Sequence, residues 1–436
     1  MTVAEAIFKA IKIREIDFVF CVPGESYLAT MDSFYGSAKP LLVSARHEEG
    51  AGIMAEAYAK ASSKTGVCMV TRGPGLTHLS IALHTAKQDS TPLVVFVGQV
   101  PTKVRQREAF QELDIVEFTR PVAKWAVELN RADRVAEIVD KAFHIANSGR
   151  PGPVVISLPE DIDRSSTAQH SVWRSSTLGS PAPSSKGIAK AVAMLEDAER
   201  PCIVAGEGLL RANATDKLIH FAECLGIPVF TAWRRFDAFP NKHPLYMGGL
   251  NLSSVSNDLS EPLKNADLII AIGARLDEFT TLSYSSPSTS QKLIHIDQSP
   301  EVTGGSWLGA DLALVADAGE AMDKLEEALK NSKHAKPSKA RQKQIADWCE
   351  YYTKRTTPRG NRIGFKDGTI DLEGIYHDIL NILTDDASIT CDAGDFGSWL
   401  IRYYKWNQPR TFFGPTTGAM GYALPAAIAA KLARPQ

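Results

Sequence analysis

At residues 66–75 the sequence reads Gly-Val-Cys-Met-Val-Thr-Arg-Gly-Pro-Gly, an apolar run that ends at a proline between two glycines. Successive side chains of a strand point to opposite faces, so a run without alternation predicts a strand that is buried on both faces. Such strands belong to parallel sheets that are covered by helices. Residues 54–59, which precede this run, have helical spacing. We therefore predict an α/β fold.

Similar apolar runs recur along the whole chain. They lie at residues 18–22, 40–43, 93–98, 153–159, 201–206, 228–230, 266–273, 293–297 and 388–392. The Ser-, Thr- and Pro-rich stretch 165–185 and the polar, basic stretch 331–344 are typical of linkers. We predict three doubly wound parallel-sheet domains over residues 1–164, 186–330 and 365–436. The third contains so little sheet that we expect it to be truncated.

The composition is that of an ordinary globular enzyme. The 436 residues are 44% hydrophobic and 22% charged, with a net charge of −2, so no long-range field favours nucleic acid or an anionic membrane. The six cysteines are scattered, which argues against a zinc site and against a disulfide framework. The sequence has no recognisable signal peptide and no apolar run of membrane-spanning length. We expect a cytoplasmic protein without nucleic-acid or membrane partners.

Two further motifs accompany the Gly-Pro-Gly turn. Residues 44–52 read Ser-Ala-Arg-His-Glu-Glu-Gly-Ala-Gly, and residues 417–425 read Thr-Gly-Ala-Met-Gly-Tyr-Ala-Leu-Pro. Taken alone, a carboxylate at a strand–helix junction is usually a solvated cap, and Gly-Pro-Gly is usually a simple turn. In this order and spacing, the three motifs together resemble the thiamine-diphosphate enzymes of the acetolactate synthase and pyruvate oxidase group.

The resemblance implies a thiamine-diphosphate site. In this group the glutamate after an Arg-His pair, here Glu48, hydrogen-bonds the aminopyrimidine of the cofactor, and it works best when removed from water. Glu49 stands where relatives often have glutamine. The methionine of Gly-x-Met-Gly, here Met420, is the wedge that bends the cofactor, and Gly418 supplies a carbonyl that accepts from its amine. Other residues expected at the cofactor are Gly24, Gly73, Pro74, Gly75, Gly394 and Asp395.

Two segments resemble the lining of the active-site cavity. Residues 108–112 read Glu-Ala-Phe-Gln-Glu, and the resemblance implies that Phe110 and Gln111 face the reacting groups. The alternative is an amphipathic helix with Phe110 as a core anchor. The Ala-Thr-Asn that usually follows the turn is replaced by Leu-Thr-His at residues 76–78. His78 therefore either faces the reaction chamber or lies on a helix surface.

The resemblance also concerns two other cofactors, Mg²⁺ and FAD. The Gly-Asp-Gly motif that holds Mg²⁺ on the diphosphate is not present, so we expect the Mg²⁺ ligands beyond residue 436 and assign no metal ligand. Arg275 aligns with an arginine that faces FAD or substrate in flavin-bearing members, which leaves FAD binding open. The turn at residues 205–208 is an incomplete dinucleotide fingerprint, and Arg234 and Arg235 either bind an anion or are solvated.

The resemblance also implies a reaction. We expect decarboxylation of a 2-keto acid, pyruvate in the simplest case, followed by carboligation to a second carbonyl compound. The alternatives are a thiamine-diphosphate-dependent decarboxylase of another 2-keto or acyl-CoA acid, and a non-catalytic relative that binds or regulates a partner. In this group the cofactor lies between two subunits, so a homodimer or homotetramer with the active site at the interface is expected.

Overall fold

The structure is a computed structural model that describes residues 1–167, 179–253, 258–304, 308–330, 337, 339–360 and 368–436. The chain forms two compact units. The first comprises residues 1–178, 390–392 and 413–436, and the second comprises residues 179–389 and 393–412. The predicted linker at 165–185 lies partly outside the described residues. The limits of the three predicted domains stay a prediction.

The first unit contains a six-stranded parallel sheet in the order β2-β1-β3-β4-β6-β5. Its strands are β1 (Phe18–Cys21), β2 (Leu41–Ser44), β3 (Gly66–Val70), β4 (Leu93–Gln99), β5 (Trp125–Glu128) and β6 (Pro153–Pro159). Every residue of β3, β4 and β6 is buried, as expected for strands with helices on both faces. The parallel-sheet α/β fold is therefore confirmed.

The helices of this unit cover both faces of the sheet. They are α1 (Val3–Lys12), α2 (Leu28–Asp32), α3 (Glu48–Ser62), α4 (Gly73–Asp89), α5 (Ile115–Thr119), α6 (Val135–Asn147) and α7 (Glu160–Asp163). The helix α3 is rich in alanine and glycine, which lets it approach α4 closely. A Cβ on Gly52 would lie 2.4 Å from Leu79 Cδ1 and 2.5 Å from the Cβ of Ala82, so a larger residue has no space there.

The second unit contains another six-stranded parallel sheet, in the order β12-β11-β10-β7-β8-β9. Its strands are β7 (Pro201–Ala205), β8 (Val229–Thr231), β9 (Tyr246–Gly249), β10 (Leu268–Ile272), β11 (Lys292–Asp297) and β12 (Leu312–Val315). Its helices are α8 (Ser185–Asp197), α9 (Glu207–Arg211), α10 (Thr215–Leu225), α11 (Glu261–Lys264), α12 (Pro300–Gly304), α13 (Ala318–Leu329), α14 (Lys339–Thr356), α15 (Leu372–Ile382) and α16 (Phe396–Tyr403). The helix α14 occupies part of the stretch 331–344 that the sequence predicted as a linker.

The last described elements are the short strands β13 (Ile389–Thr390) and β14 (Phe412–Phe413), which form a two-stranded sheet, and the helix α17 (Ala423–Ala433). Within the first unit, α17 packs on α3 through small side chains, because Ala426, Ala429 and Ala430 are buried in the same core as the alanines of α3. The residues that follow β14 thus become part of the unit built by residues 1–167.

A buried charged group joins α17 to α3 and α4. Glu56 and Asp89 are at most 1% exposed, and Lys60 pairs with both carboxylates, at 2.7 Å from Glu56 Oε1. The hydroxyl of Tyr422 donates to Glu56 Oε2 at 2.7 Å, and the N–H of Thr416 donates to Asp89 Oδ1 at 3.0 Å. Buried carboxylates are tolerated only when their oxygens are hydrogen-bonded or paired, so this group requires the C-terminal segment to be in place.

The substitution Tyr422→Phe tests this group. It removes the hydroxyl that donates to Glu56 and leaves a buried carboxylate oxygen with one donor fewer. We expect the free energy of unfolding to fall by about 2 kcal/mol, as measured by urea denaturation. Tyr35 is 93% exposed, so Tyr35→Phe is the matched control and is expected to change stability by less than about 0.5 kcal/mol. Equal stabilities of the two variants would contradict the assignment.

Asp237 of the second unit makes stability depend on pH. It is buried, and its Oδ2 accepts the N–H groups of Thr411 at 2.9 Å and Phe412 at 3.2 Å. Burial raises the pKa of Asp237 to about 6. The native state therefore retains a proton that the unfolded chain releases near pH 4, and the free energy of unfolding decreases as the pH rises from about 4 to about 6.

We expect the wild type to lose about 2 kcal/mol of stability relative to Asp237→Asn between pH 4 and pH 7. Urea denaturation at a series of pH values measures this difference. The exposed Asp32 provides the control, since Asp32→Asn is expected to follow the wild type across the same range. Parallel curves for the wild type and Asp237→Asn would refute the pKa assignment.

Candidate active site at the carboxyl edge of the first sheet

The helix α3 begins at Glu48, directly after β2 and a short turn. His47 is its N-cap, with extended backbone, and the Nδ1 atom of His47 accepts the N–H of Glu49 at 3.3 Å. Two carboxylates in the first turn are favourable, because they face the positive end of the helix dipole. The side chain of Glu48 is nevertheless only 12% exposed. A solvated cap, the ordinary interpretation of this cluster, would not be withdrawn from water to this degree.

Glu48 lies against the first turns of α4. A Cβ on Gly75 would stand 3.4 Å from Glu48 Oε1, and the Nδ1 atom of His78 lies 3.0 Å from Glu48 Oε2. The two oxygens of the carboxyl group thus face different neighbours. The sequence left open whether His78 faces the reaction chamber or lies on a helix surface, and in the structure its half-exposed ring contacts Glu48.

Gly73 and Gly75 allow the backbone of the turn to lie close to neighbouring groups of the protein. The N–H of Gly73 donates to the carbonyl of Gln111 at 3.0 Å, and a Cβ on Gly73 would lie 2.7 Å from that same oxygen. Pro74 occupies the first turn of α4, where its missing N–H costs nothing. On the neighbouring strand end, a Cβ on Gly24 would stand 2.9 Å from the Cβ of Thr71. The turns after β1 and β3 are therefore in contact, which parallel pairing of these strands requires.

The segment that contains Phe110 and Gln111 is held by the residue before the glycines. The side chain of Arg72 is buried, its Nε donates to the carbonyl of Phe110 at 3.0 Å, and its guanidinium pairs with Glu25 at 2.8 Å. Residues 108–112 form no helix and have a turn at 110–111, and Phe110 is 73% exposed. Phe110 is therefore not the core anchor of an amphipathic helix, and it is presented to solvent beside the Gly-Pro-Gly turn.

The Gly-Ala-Met-Gly turn at residues 418–421 belongs to the same unit. Gly418 and Gly421 have φ values of 71° and 79°, which favour glycine over other residues. The carboxylate of Asp392 holds the turn by accepting the N–H groups of Gly421, at 3.1 Å, and of Ala423. The side chain of Met420 is 77% exposed. A large apolar side chain on a turn braced by a carboxylate is available to a ligand or to another chain.

The other predicted site residues lie in the second unit. Gly394 and Asp395 precede α16, and Arg275 follows β10 and is half-buried. The glycines of the incomplete dinucleotide fingerprint pack against protein: a Cβ on Gly206 would lie 2.5 Å from the carbonyl of Gly273, and one on Gly208 would lie 2.7 Å from its Cα. Contact between two turns of the protein is enough to explain why small residues stand there.

Ionisation states exclude two alternative kinds of chemistry near Glu48. Burial raises the pKa of the Cys68 thiol well above its usual range and that of Cys21 to about 11, so neither is a thiolate nucleophile at neutral pH. Burial also raises the pKa of Tyr27, whose neutral hydroxyl donates to the carbonyl of Val22. The side chains of Cys68, Cys21 and Tyr27 are therefore all neutral at neutral pH.

Among the described residues, one cluster has the side chains of a metal site: ligand atoms of His47, Glu48 and His78 lie within 4.8 Å of one another. The two imidazole rings are stacked, with centroids 4.6 Å apart and planes 26° apart. Stacked rings do not direct their lone pairs at a common centre, and His47 Nδ1 already accepts a backbone N–H. The cluster has the geometry of a hydrogen-bonded group, and we assign no metal to it.

Three of the site's supporting residues were not predicted from the sequence. Asp392, Arg72 and His47 brace the turns that carry the expected cofactor residues. Arg72 and Asp392 each stand at the end of an apolar run, and this position was the available signal. A separate finding concerns membranes: in the described part of the chain, no helix combines the length and apolarity needed to cross a bilayer.

Comparison with known proteins defines the family. Residues 1–118 match the model of the N-terminal TPP binding domain of thiamine pyrophosphate enzymes, residues 188–325 match the model of their central domain, and residues 392–436 match that of their C-terminal TPP binding domain. The chain belongs to the thiamine pyrophosphate enzyme family.

Individual relatives agree with this assignment. The chain is 32% identical to the acetolactate synthase large subunit of Corynebacterium glutamicum, over all of this chain and 69% of that one. It is 31% identical to the acetolactate synthase large subunit of Buchnera aphidicola, over 99% of this chain and 75% of that one. The X-ray structure of an enzyme from Mycobacterium smegmatis, described as thiamin diphosphate-dependent, has the same fold, with a TM-score of 0.81 at 23% identity over 99% of this chain and 80% of that one.

The substitution Gly73→Ala tests whether the turn holds the 110–111 segment. The added Cβ would collide with the backbone carbonyl of Gln111, which cannot move as a flexible side chain would. We expect a loss of about 1–3 kcal/mol in the free energy of unfolding, measured by urea denaturation. The control is Gly309→Ala, since a Cβ on this exposed glycine meets no atom within 4 Å. If Gly73→Ala were as stable as the control, the close contact would be disproved.

Proposed function

We propose that the chain binds thiamine diphosphate and catalyses decarboxylation of a 2-keto acid such as pyruvate, followed by carboligation to a second carbonyl compound, as in an acetolactate-synthase-like reaction. The observation that carries the proposal is the position of Glu48. Its carboxyl is almost withdrawn from water, at a helix N-terminus beside Gly75. The names of the relatives from Corynebacterium and Buchnera support the reaction class.

When bound, thiamine diphosphate supplies a carbon nucleophile and an electron sink for the loss of CO₂ from the keto acid. Glu48 would hold the aminopyrimidine ring by a hydrogen bond, which is stronger in a desolvated site than in water. Met420 would pack against the cofactor, and the carbonyl of Gly418 would accept a hydrogen bond from its amine. The residues fit these roles, because Met420 is exposed and Gly418 has the φ value that a tight approach of backbone needs.

The remaining candidate residues would form the walls of the site. Gly24, Gly73, Pro74 and Gly75 would let backbone approach the cofactor, with Gly394 and Asp395 at its diphosphate end. Phe110 and Gln111 would contact the substrate and limit the access of water to the reacting carbon. Exposure of Phe110 beside the Gly-Pro-Gly turn supports this role, and the buried Arg72 would keep the segment in position.

No ligands are assigned to Mg²⁺ in this proposal, and FAD is left out of it. Mg²⁺ would clamp the diphosphate, but the 436 residues contain no Gly-Asp-Gly motif, so the residues present do not supply its ligands and we assign none. FAD is not included, since the glycines at 206 and 208 are explained by contact with residues 273 and 274. A visible absorption spectrum of the purified protein tests for flavin, and Arg275 would be its first candidate contact.

We also propose that the active site lies between two copies of the chain, in a homodimer or homotetramer. Within one chain, a Cβ on Gly421 would stand 3.4 Å from Glu49 Oε1 and would meet no atom of Glu48 within 4 Å. The exposed side chains of Met420 and Leu424, at 77% and 74%, are apolar surfaces that a second copy would cover. Light scattering gives the number of chains in the active sample.

The substitution Glu48→Gln tests the proposed function. It keeps the size of the side chain and removes the group that shares a proton with the cofactor, so we expect a loss of at least about 100-fold in the rate of pyruvate consumption. Calorimetry with thiamine diphosphate and Mg²⁺ is expected to give micromolar affinity for the wild type, about −8 kcal/mol. The matched control is the neighbouring Glu49→Gln, which is expected to keep both activity and affinity.

Product analysis separates the possible reactions. Acetolactate formed from pyruvate supports carboligation, whereas acetaldehyde alone would replace it by simple decarboxylation. Absence of cofactor binding in the wild type would favour the non-catalytic alternative. Turnover that survives Glu48→Gln would overturn the role given to this carboxyl.

A further inference from the structure

His78 connects the buried Glu48 carboxyl to solvent. Its Nδ1 atom lies 3.0 Å from Glu48 Oε2, and its side chain is 52% exposed, whereas that of Glu48 is 12% exposed. The imidazole therefore has one nitrogen on the carboxyl and a ring that reaches water. Both residues lie in well-defined helices of the same unit, Glu48 at the start of α3 and His78 in the second turn of α4.

The orientation of the His78 ring is fixed from a second side. The ring of His47 stacks on it, with centroids 4.6 Å apart, and His47 is itself held as the N-cap of α3 by the N–H of Glu49. The stack restrains the plane of the His78 ring, and its hydrogen bond to Glu48 restrains which edge faces the carboxyl. This arrangement of two histidines and one carboxyl is more ordered than a lone histidine on a helix surface.

Neutral imidazole can take up a proton at one nitrogen and release another from the second. With an ionised Glu48, the Nδ1–H of His78 donates to Oε2 and its Nε2 is an acceptor. A proton delivered by hydronium, which becomes water, then binds Nε2 as the Nδ1 proton passes to Oε2. One proton enters and one leaves, no electron is transferred, and the ring returns to its first form by the reverse movement.

We propose that His78 is the proton relay between the Glu48 carboxyl and solvent. The inference rests on the proposed function, in which Glu48 shares a proton with the cofactor, and it gives that proton a path to water through His78. The relay requires histidine in particular. An asparagine at position 78 could donate a hydrogen bond but could not take up and release protons near neutral pH.

The pairing is tested first without cofactor. The ¹⁵N spectrum of the histidine side chains is expected to show His78 with its proton on Nδ1 in the wild type. In Glu48→Ala this preference is expected to disappear, because neutral imidazole in water favours the other nitrogen. The control is His84→Asn, on the same helix, which should leave the His78 signal in place. An unchanged tautomer in Glu48→Ala would overturn the pairing.

The relay itself is tested by hydrogen–deuterium exchange at the thiazolium carbon of bound cofactor, followed by acid quench and NMR. We expect His78→Asn to bind thiamine diphosphate with an affinity within about threefold of the wild type and to exchange at least about 10-fold more slowly. Exchange in His78→Gly is expected to recover when free imidazole is added. A residue that only maintains the structure would not be rescued in this way.

The outcomes separate the relay from the proposed function. If the wild type does not accelerate exchange over free cofactor, the proposed function fails, and the role of His78 fails with it. If the wild type accelerates exchange and His78→Asn does so equally well at equal affinity, the relay alone is overturned. Slow exchange in His78→Asn with imidazole rescue in His78→Gly supports the relay, with His84→Asn as the unchanged control.

Discussion

The arrangement of the first unit depends on the need to compensate two buried carboxylates. Glu56 and Asp89 share one cation, Lys60, and their other oxygens require neutral donors. Two of these donors, Tyr422 and Thr416, come from the C-terminal segment. Removing a buried charge from its partners costs far more than an ordinary hydrogen bond, so the segment cannot slide or rotate without breaking this group. A purely apolar contact between α3 and α17 would allow several registers.

The same constraint places the residues expected to bind the cofactor. Tyr422 follows the Gly-Ala-Met-Gly turn directly, and Asp392 holds the turn by the N–H groups of Gly421 and Ala423. The C-terminal end of the turn is thus held by two carboxylates, Asp392 after β13 and Glu56 on α3. The small residues of α3 contribute by letting α4 and α17 approach closely. Packing sets the distances between helices, while the polar group sets their register.

The sequence predicted the central strands well because each one carries apolar residues on both faces. It missed β5, β9 and β12, all of which lie at sheet edges. The strands β5 and β12 are partly accessible to solvent, and the apolar run of β9 is cut short by Gly248 and Gly249. In the site, the turn of Glu48 and the Gly-Pro-Gly turn were predicted because the motifs together resemble those of the thiamine-diphosphate enzymes. The pairing of Glu56 with Tyr422 spans 366 residues and has no local signature. Only the folded chain reveals it.

Glycines illustrate why local pattern alone cannot assign a ligand site. Gly206 and Gly208 occupy a turn that suggests a nucleotide, yet the space that a Cβ would fill is taken by residues 273 and 274. The space that a Cβ on Gly73 would fill is also occupied by protein, namely by the carbonyl of Gln111. This contact, however, places the exposed Phe110 beside the turn that adjoins the desolvated carboxyl of Glu48. At both turns glycine is required because protein atoms occupy the space of a Cβ. What distinguishes them is chemistry: only the turn at residues 73–75 adjoins a group, Glu48, whose withdrawal from water needs a reason beyond packing.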